Sequence, residues 1–165
     1  MKIAIYGRQF NNTVLPHVQQ VFDSLAEHAV EAFVYDKYNH FISGKIFFPR
    51  KFQIFRNSQD LIDARVDVMI SLGGDGTLLD TVTLIRDSNI PVIGINFGRL
   101  GFLASINKSD IANAMISLVN KDFTLDKRVQ LCIESELKLF GNENFALNDV
   151  TIHKLWDTQQ MLNAG

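Results

Sequence analysis

One cysteine, one tryptophan and three prolines stand among 165 residues, and no apolar run is long enough to span a bilayer. The single thiol, Cys132, cannot close an internal disulfide. It lies in an apolar run and is expected to be a core residue in a reducing compartment. Neither sign of charge dominates: 16 Lys and Arg against 18 Asp and Glu leave a formal net charge of −2, so no general electrostatic reason for nucleic-acid binding exists. The four histidines form no cluster with cysteine at ligand spacing, and no nucleophile elbow or Ser/His/Asp arrangement is present. A metal centre and serine-type hydrolysis drop out on those grounds. His153, beside Lys154, is expected at the surface. Met1 to Gly7 runs straight into a strand pattern, so no signal peptide and a cytoplasmic location are expected. What is there is ordinary for a folded chain: 47% hydrophobic and 21% charged residues argue against disorder and fit one domain, or one plus part of another.

The informative stretch is Val66 to Leu79. Val66-Asp67-Val68-Met69-Ile70-Ser71-Leu72 reads as a buried strand rich in β-branched residues. It ends abruptly in Gly73-Gly74-Asp75-Gly76-Thr77. After Thr77, Leu78, Leu79, Val82, Leu84 and Ile85 recur at helical spacing. Asp75 is thereby placed at the carboxyl end of a strand and near a helix N-terminus, where open α/β sheets bind ligands. Backbone N–H groups and the helix dipole favour phosphate at such a place. A plain strand-to-helix turn capped by Asp75 needs fewer glycines. An acid beside a phosphate pocket makes sense if it handles a proton or a Mg²⁺-bound phosphate. The motif is neither Walker A nor G-x-G-x-x-G.

On either side of this stretch the chain reads as alternating strands and helices. Lys2 to Tyr6 is a strand, and Arg8 to Asn12 a polar loop that is either a second ligand-facing edge or a simple connection. Residues 14 to 28 form an amphipathic helix carrying Val14, Val18, Val21, Phe22 and Leu25. Ala32 to Tyr35 is a second strand, and this β-α-β opening implies a parallel sheet. In residues 37 to 57 basic and aromatic residues interleave. That texture suits single-stranded nucleic acid, but the net charge favours a loop or hairpin whose aromatics join the core. Ser58 is expected to cap a short helix to Ala64. Pro91 opens another strand, followed by the Asn96-Phe97-Gly98-Arg99-Leu100-Gly101 loop at the same sheet edge; Arg99 is either a phosphate contact or a surface residue. Ser109 is expected to cap a helix over 110 to 120. From Phe123 the pattern turns to alternation with a Gly141-Asn142 turn and a second run, Phe145 to Ile152, which is antiparallel β texture. Asn148 and Asp149 interrupt that run, as ribose- or adenine-binding groups or as a bulge. The fold class is therefore α/β: an N-terminal open, mostly parallel sheet with flanking helices, then the start of a β-rich domain. The expected division is 1–107 and 108–165, the second part beginning with a connecting helix.

Three motifs in order, Gly73-Gly74-Asp75-Gly76-Thr77, Asn96-Phe97-Gly98-Arg99-Leu100-Gly101-Phe102-Leu103 and Leu147-Asn148-Asp149-Val150-Thr151-Ile152, resemble the NAD kinase family over about residues 1 to 154. The first is shared with diacylglycerol and sphingosine kinases; the other two separate NAD kinases from them. The resemblance implies transfer of the ATP γ-phosphoryl group, with Mg²⁺, to the 2′-hydroxyl of the NAD adenosine ribose. It implies Asp75 as general base or its equivalent. It implies Gly73, Gly74, Gly76, Thr77, Asn96, Asn148 and Asp149 as nucleotide-binding residues, no protein metal ligand, no nucleic-acid or membrane partner, and a homo-oligomer. The alternatives are a lipid kinase with the same Gly-Gly-Asp-Gly-Thr motif and a catalytically incomplete nucleotide-binding fragment. Two departures stand out. Asp80 occupies a position where many members carry Arg or His. The Thr-Gly-Ser-Thr-rich segment that follows in the family is not found before Gly165, so the chain reads as truncated in the β-rich domain.

Overall fold

The computed structural model describes residues 1–99, 101–134 and 144–147. Six strands form one sheet: β1 (Lys2–Gly7), β2 (Glu31–Tyr35), β3 (Gln53–Phe55), β4 (Val68–Leu72), β5 (Val92–Asn96) and β6 (Ile106–Asn107). Their order is β3-β2-β1-β4-β5-β6, and every pairing is parallel. β4 is buried at all five positions, as the continuous apolar run of a two-sided parallel strand requires.

Among the described residues, five α-helices cover the sheet: α1 (Leu15–Glu27), α2 (Asp36–Ile42), α3 (Ser58–Ala64), α4 (Asp75–Ile85) and α5 (Ile111–Val119). On one face, Ile3, Ile5, Val34, Ile70 and Ile95 join Val18, Val21, Phe22 and Leu25 of α1 and Ile111, Met115 and Leu118 of α5 in one core. The spacing of the α1 and α5 residues puts each set on a single helical stripe. On the other face Ala4, Phe33, Phe55 and Met69 pack with Leu61 of α3, and with Leu84 and Ile85 of α4. The strand pleat sends alternate residues to these two cores.

Several expectations are corrected. The 37–57 segment is not a hairpin. It begins with α2, where Asp36 in the first turn suits the helix dipole and Tyr38 and Ile42, four apart, are both buried. It ends in β3, a parallel edge strand. Its aromatics do join the core: Phe48 meets Phe22 and Phe52 edge-on or tilted. The cap of α3 is Asn57, whose side chain accepts from the Asp60 amide at 3.1 Å, and Ser58 is the first helical residue. Asn107, not Ser109, caps the turn that leads into α5, through the Ser109 amide.

The first compact unit runs Met1–Asp126, so the expected division at 107/108 falls inside it and α5 packs on the α/β core. In the second unit, Lys127–Gly165, the strands β7 (Gln130–Cys132) and β8 (Phe145–Leu147) pair antiparallel, with Cys132 opposite Phe145. Cys132 is exposed there, not a core residue, since among the described residues no second layer covers β7 and β8. No helix among the described residues is long and apolar enough to cross a membrane.

Ile70 is fully buried in the middle of β4. Ile70→Ala should lower the unfolding free energy by about 2–5 kcal/mol and Ile70→Val by about 0.5–1.5 kcal/mol, read from urea denaturation. Equal, near-zero losses would contradict a packed two-sided sheet.

Candidate active site at the switch point of the sheet

From β1 the chain steps outward to β2 and β3 on one side, and from β4 to β5 and β6 on the other. The direction of winding therefore reverses between β1 and β4, and the carboxyl ends of such a pair diverge into a ligand crevice. Gly7 and Leu72 are register partners at those ends. The next residues, Arg8 and Gly73, flank the crevice.

Gly73 turns the chain out of β4. Its φ of 150° is one L side chains rarely adopt, and a Cβ there would collide with Thr77 Oγ1. Its own N–H is anchored on the Ile95 carbonyl at 2.9 Å. Gly74 is the N-cap of α4 and offers no side chain to satisfy the free amides. The first turn thus presents unsatisfied N–H groups and the positive end of the helix dipole. Thr77 is buried beneath the turn and donates its amide to Gly74 O at 2.9 Å. The role expected of Gly73 and Thr77 is to that extent architectural: they shape the loop.

Asp75 is the first residue of α4. Its Oδ2 accepts from the Phe102 amide at 2.7 Å, and its Oδ1 from the Leu103 and Ala104 amides at 3.1 and 2.9 Å. The loop after β5 is folded over this carboxylate so closely that a Cβ on Gly101 would overlap it. The Ala104 amide, then those of Phe102 and Leu103, hold the Asp75 carboxyl below the usual carboxylate range against a smaller opposing effect of desolvation. A carboxylate so held is ionised at neutral pH and is a weak base, because donors to the charged form disfavour its protonation. The Phe102 ring, by contrast, is 97% exposed.

Asn96 is buried at the end of β5, with its side chain about 4 Å from the Cβ position of Gly74. Its Oδ1 accepts from the Gly98 amide at 2.9 Å, and its Nδ2 donates to the Arg99 carbonyl at 2.6 Å. It therefore staples its own loop beside the glycine turn. Asn148 and Asp149 lie outside the described residues.

Sequence reasoning missed one cluster. Asp80, one turn along α4, takes Arg8 Nε and Nη2 in a two-pronged pair at 2.5 and 2.6 Å and accepts from the Tyr6 hydroxyl at 2.8 Å. Burial, and then the bond to Asp80, push the Tyr6 phenol above its usual range, so it remains a donor. The signals were the polar loop at Arg8 and the acid at position 80; their meeting across 72 residues needed the strand order. Among the described residues no group of His, Cys, Asp and Glu is fit to hold a metal ion.

The fold and this site define a doubly wound α/β protein with a glycine turn at its switch point. The ATP-NAD kinase N-terminal domain matches residues 3–123, and the chain belongs to that family. It is 36% identical over 155 residues to the NAD kinase of Cytophaga hutchinsonii, covering 93% of this chain and 52% of that protein. It is 33% identical over 164 residues to the NAD kinase of Flavobacterium psychrophilum, covering 98% and 55%. The crystal structure of yeast NADH kinase complexed with NADH superposes with a TM-score of 0.64 at 20% identity, over 79% of this chain and 41% of that one. The chain spans about half the length of the relatives it matches.

Asp75→Asn replaces one acceptor oxygen with an amide that faces amide donors. Amide hydrogen exchange at Phe102, Leu103 and Ala104 should accelerate strongly in Asp75→Asn and in Gly101→Ala, while β4 keeps its protection. Unchanged exchange at these three amides would show that Asp75 does not hold the loop.

Proposed function

We propose that this chain supplies the α/β half of an NAD kinase, which transfers the γ-phosphoryl group of Mg–ATP to the 2′-hydroxyl of the NAD adenosine ribose and yields NADP. The observation that carries the proposal is the single carboxylate, Asp75, that joins the glycine turn to the loop after β5 at the switch point. Phosphoryl transfer passes through a loose transition state in most analyses, so catalysis rests on positioning and charge stabilisation more than on strong bases. An ionised carboxylate fixed by backbone amides suits that demand. It would accept a hydrogen bond from the acceptor hydroxyl and so aim the hydroxyl oxygen at the γ-phosphorus, taking the proton as the new P–O bond forms and the bond to the departing ADP oxygen breaks. The free amides of Gly74 and Gly76 would lie against phosphate or ribose oxygens, and Asn148 and Asp149 are the further NAD-binding residues of this reading. Assembly as a homo-oligomer in the cytoplasm belongs to the same reading. The lipid-kinase alternative is not favoured, since the relatives found are NAD kinases.

With Mg–ATP and NAD, the chain should form NADP, read through an NADP-specific dehydrogenase, and Asp75→Ala should reduce the rate by about 10²-fold or more. Phosphorylation of diacylglycerol but not NAD would contradict the proposal, whereas folded protein that forms neither product would make this chain a catalytically incomplete nucleotide-binding fragment.

A further inference from the structure

The Arg8–Asp80 pair lies at the crevice and not on a remote surface. Arg8 is the first residue beyond β1, directly after the last register pair between β1 and β4, Gly7 and Leu72. Its Nη1 sits 3.5 Å from the place a Cβ would take on Gly76, over the first turn of α4. The Arg8 side chain is 57% exposed and that of Asp80 29%, so a ligand can reach the guanidinium while Asp80 is shielded behind it. An exposed pair of this kind contributes little to stability. It does fix where an otherwise mobile guanidinium points. Tyr6 completes the arrangement by donating to the same Asp80 oxygen that receives Arg8 Nε.

The geometry points to Arg8 as a phosphate-binding residue of this site, its planar fork held over the glycine turn by Asp80 and Tyr6. Arginine pairs carboxylate and phosphate with the same two-pronged geometry. Asp80 therefore occupies the kind of partner position that an incoming phosphate oxygen would share. The ligand class is a di- or triphosphate arm, of ATP or of NAD. Asp75 and Asp80 both bring negative charge to the crevice, and Arg8 offsets it where an anion must approach the free amides of α4. The acid at position 80, which stood out in the sequence, is what sets the cation in place. This inference rests on the proposed kinase reading only for which nucleotide carries the phosphates.

The test titrates the full chain with inorganic tripolyphosphate by calorimetry, then with Mg–ATP and with NAD separately to distinguish the two sources. Arg8→Ala should weaken tripolyphosphate binding about tenfold or more and flatten its salt dependence, with thermal unfolding unchanged. Arg8→Lys, which keeps the charge but loses the fork, should fall between. Asp80→Asn keeps an acceptor for Arg8 and removes the repelling charge, so it should bind at or above wild-type affinity. If the pair were only a clip between β1 and α4, Arg8→Ala and Asp80→Asn would weaken binding alike, and that result overturns the inference. So does tripolyphosphate binding that is absent in the wild type or indifferent to Arg8. The two readings separate cleanly. NADP formation at unchanged KM for ATP and NAD in Arg8→Ala sinks the Arg8 assignment and leaves the kinase standing. Arg8-dependent anion binding without NADP formation does the reverse.

Discussion

The structure of the site depends on one carboxylate taking three backbone hydrogen bonds. Asp75 begins α4, and the amides it accepts, from Phe102, Leu103 and Ala104, belong to a loop 27 to 29 residues further on. Three N–H groups in an irregular segment need acceptors, and a helix N-terminus stabilises an anion. Asp75 meets both needs at once. It thereby fixes the relative position of the two glycine-bearing loops. Gly101 is required where it stands because the backbone passes against the carboxylate with no room for a side chain.

That anchor acts within a frame set by strand order. The reversal between β1 and β4 opens a crevice, and three elements reach it: the polar residue after β1, the glycine turn after β4, and the Asn96-stapled loop after β5. Each is held by a different device. Arg8 is gripped by a carboxylate from α4, the turn by the Gly73 amide on β5, and the last loop by its own asparagine and by Asp75. Positive charge, free amides and an ionised carboxylate are thus presented on one edge, the assortment a phosphoryl transfer between two nucleotides would use.

Much of this was legible in the residues. The apolar run of β4 is short, β-branched and ended by glycines, which suits a buried strand, and Val18, Val21, Phe22 and Leu25 recur at helical spacing. The glycine turn announced itself because three glycines and an acid have no other economical use. What the sequence hid was non-local. Nothing near Asp75 reveals that its partners are amides beyond residue 101, so it reads as a free base when it is a tethered one. Nothing near Asp80 reveals Arg8. The α2 segment was obscured because its basic and aromatic residues alternate, while only Tyr38, Phe41 and Ile42, at i, i+3 and i+4, carry the helical period. Cys132 looked buried because an apolar run implies a second layer, which β7 and β8 lack among the described residues.

The most direct test of the account is the titration of the Asp75 side-chain carboxyl, followed by carbon-13 NMR together with the amide signals of Phe102, Leu103 and Ala104. Because the folded carboxyl is held low, its contribution is present above the unfolded carboxylate pKa of about 3.9 and is lost only as pH falls through the lower folded value. The account predicts a midpoint below that ordinary value, with the three amides moving in the same step. A midpoint at or above it, with the amides silent, would mean that Asp75 stands free of the loop and that the site is organised in some other way.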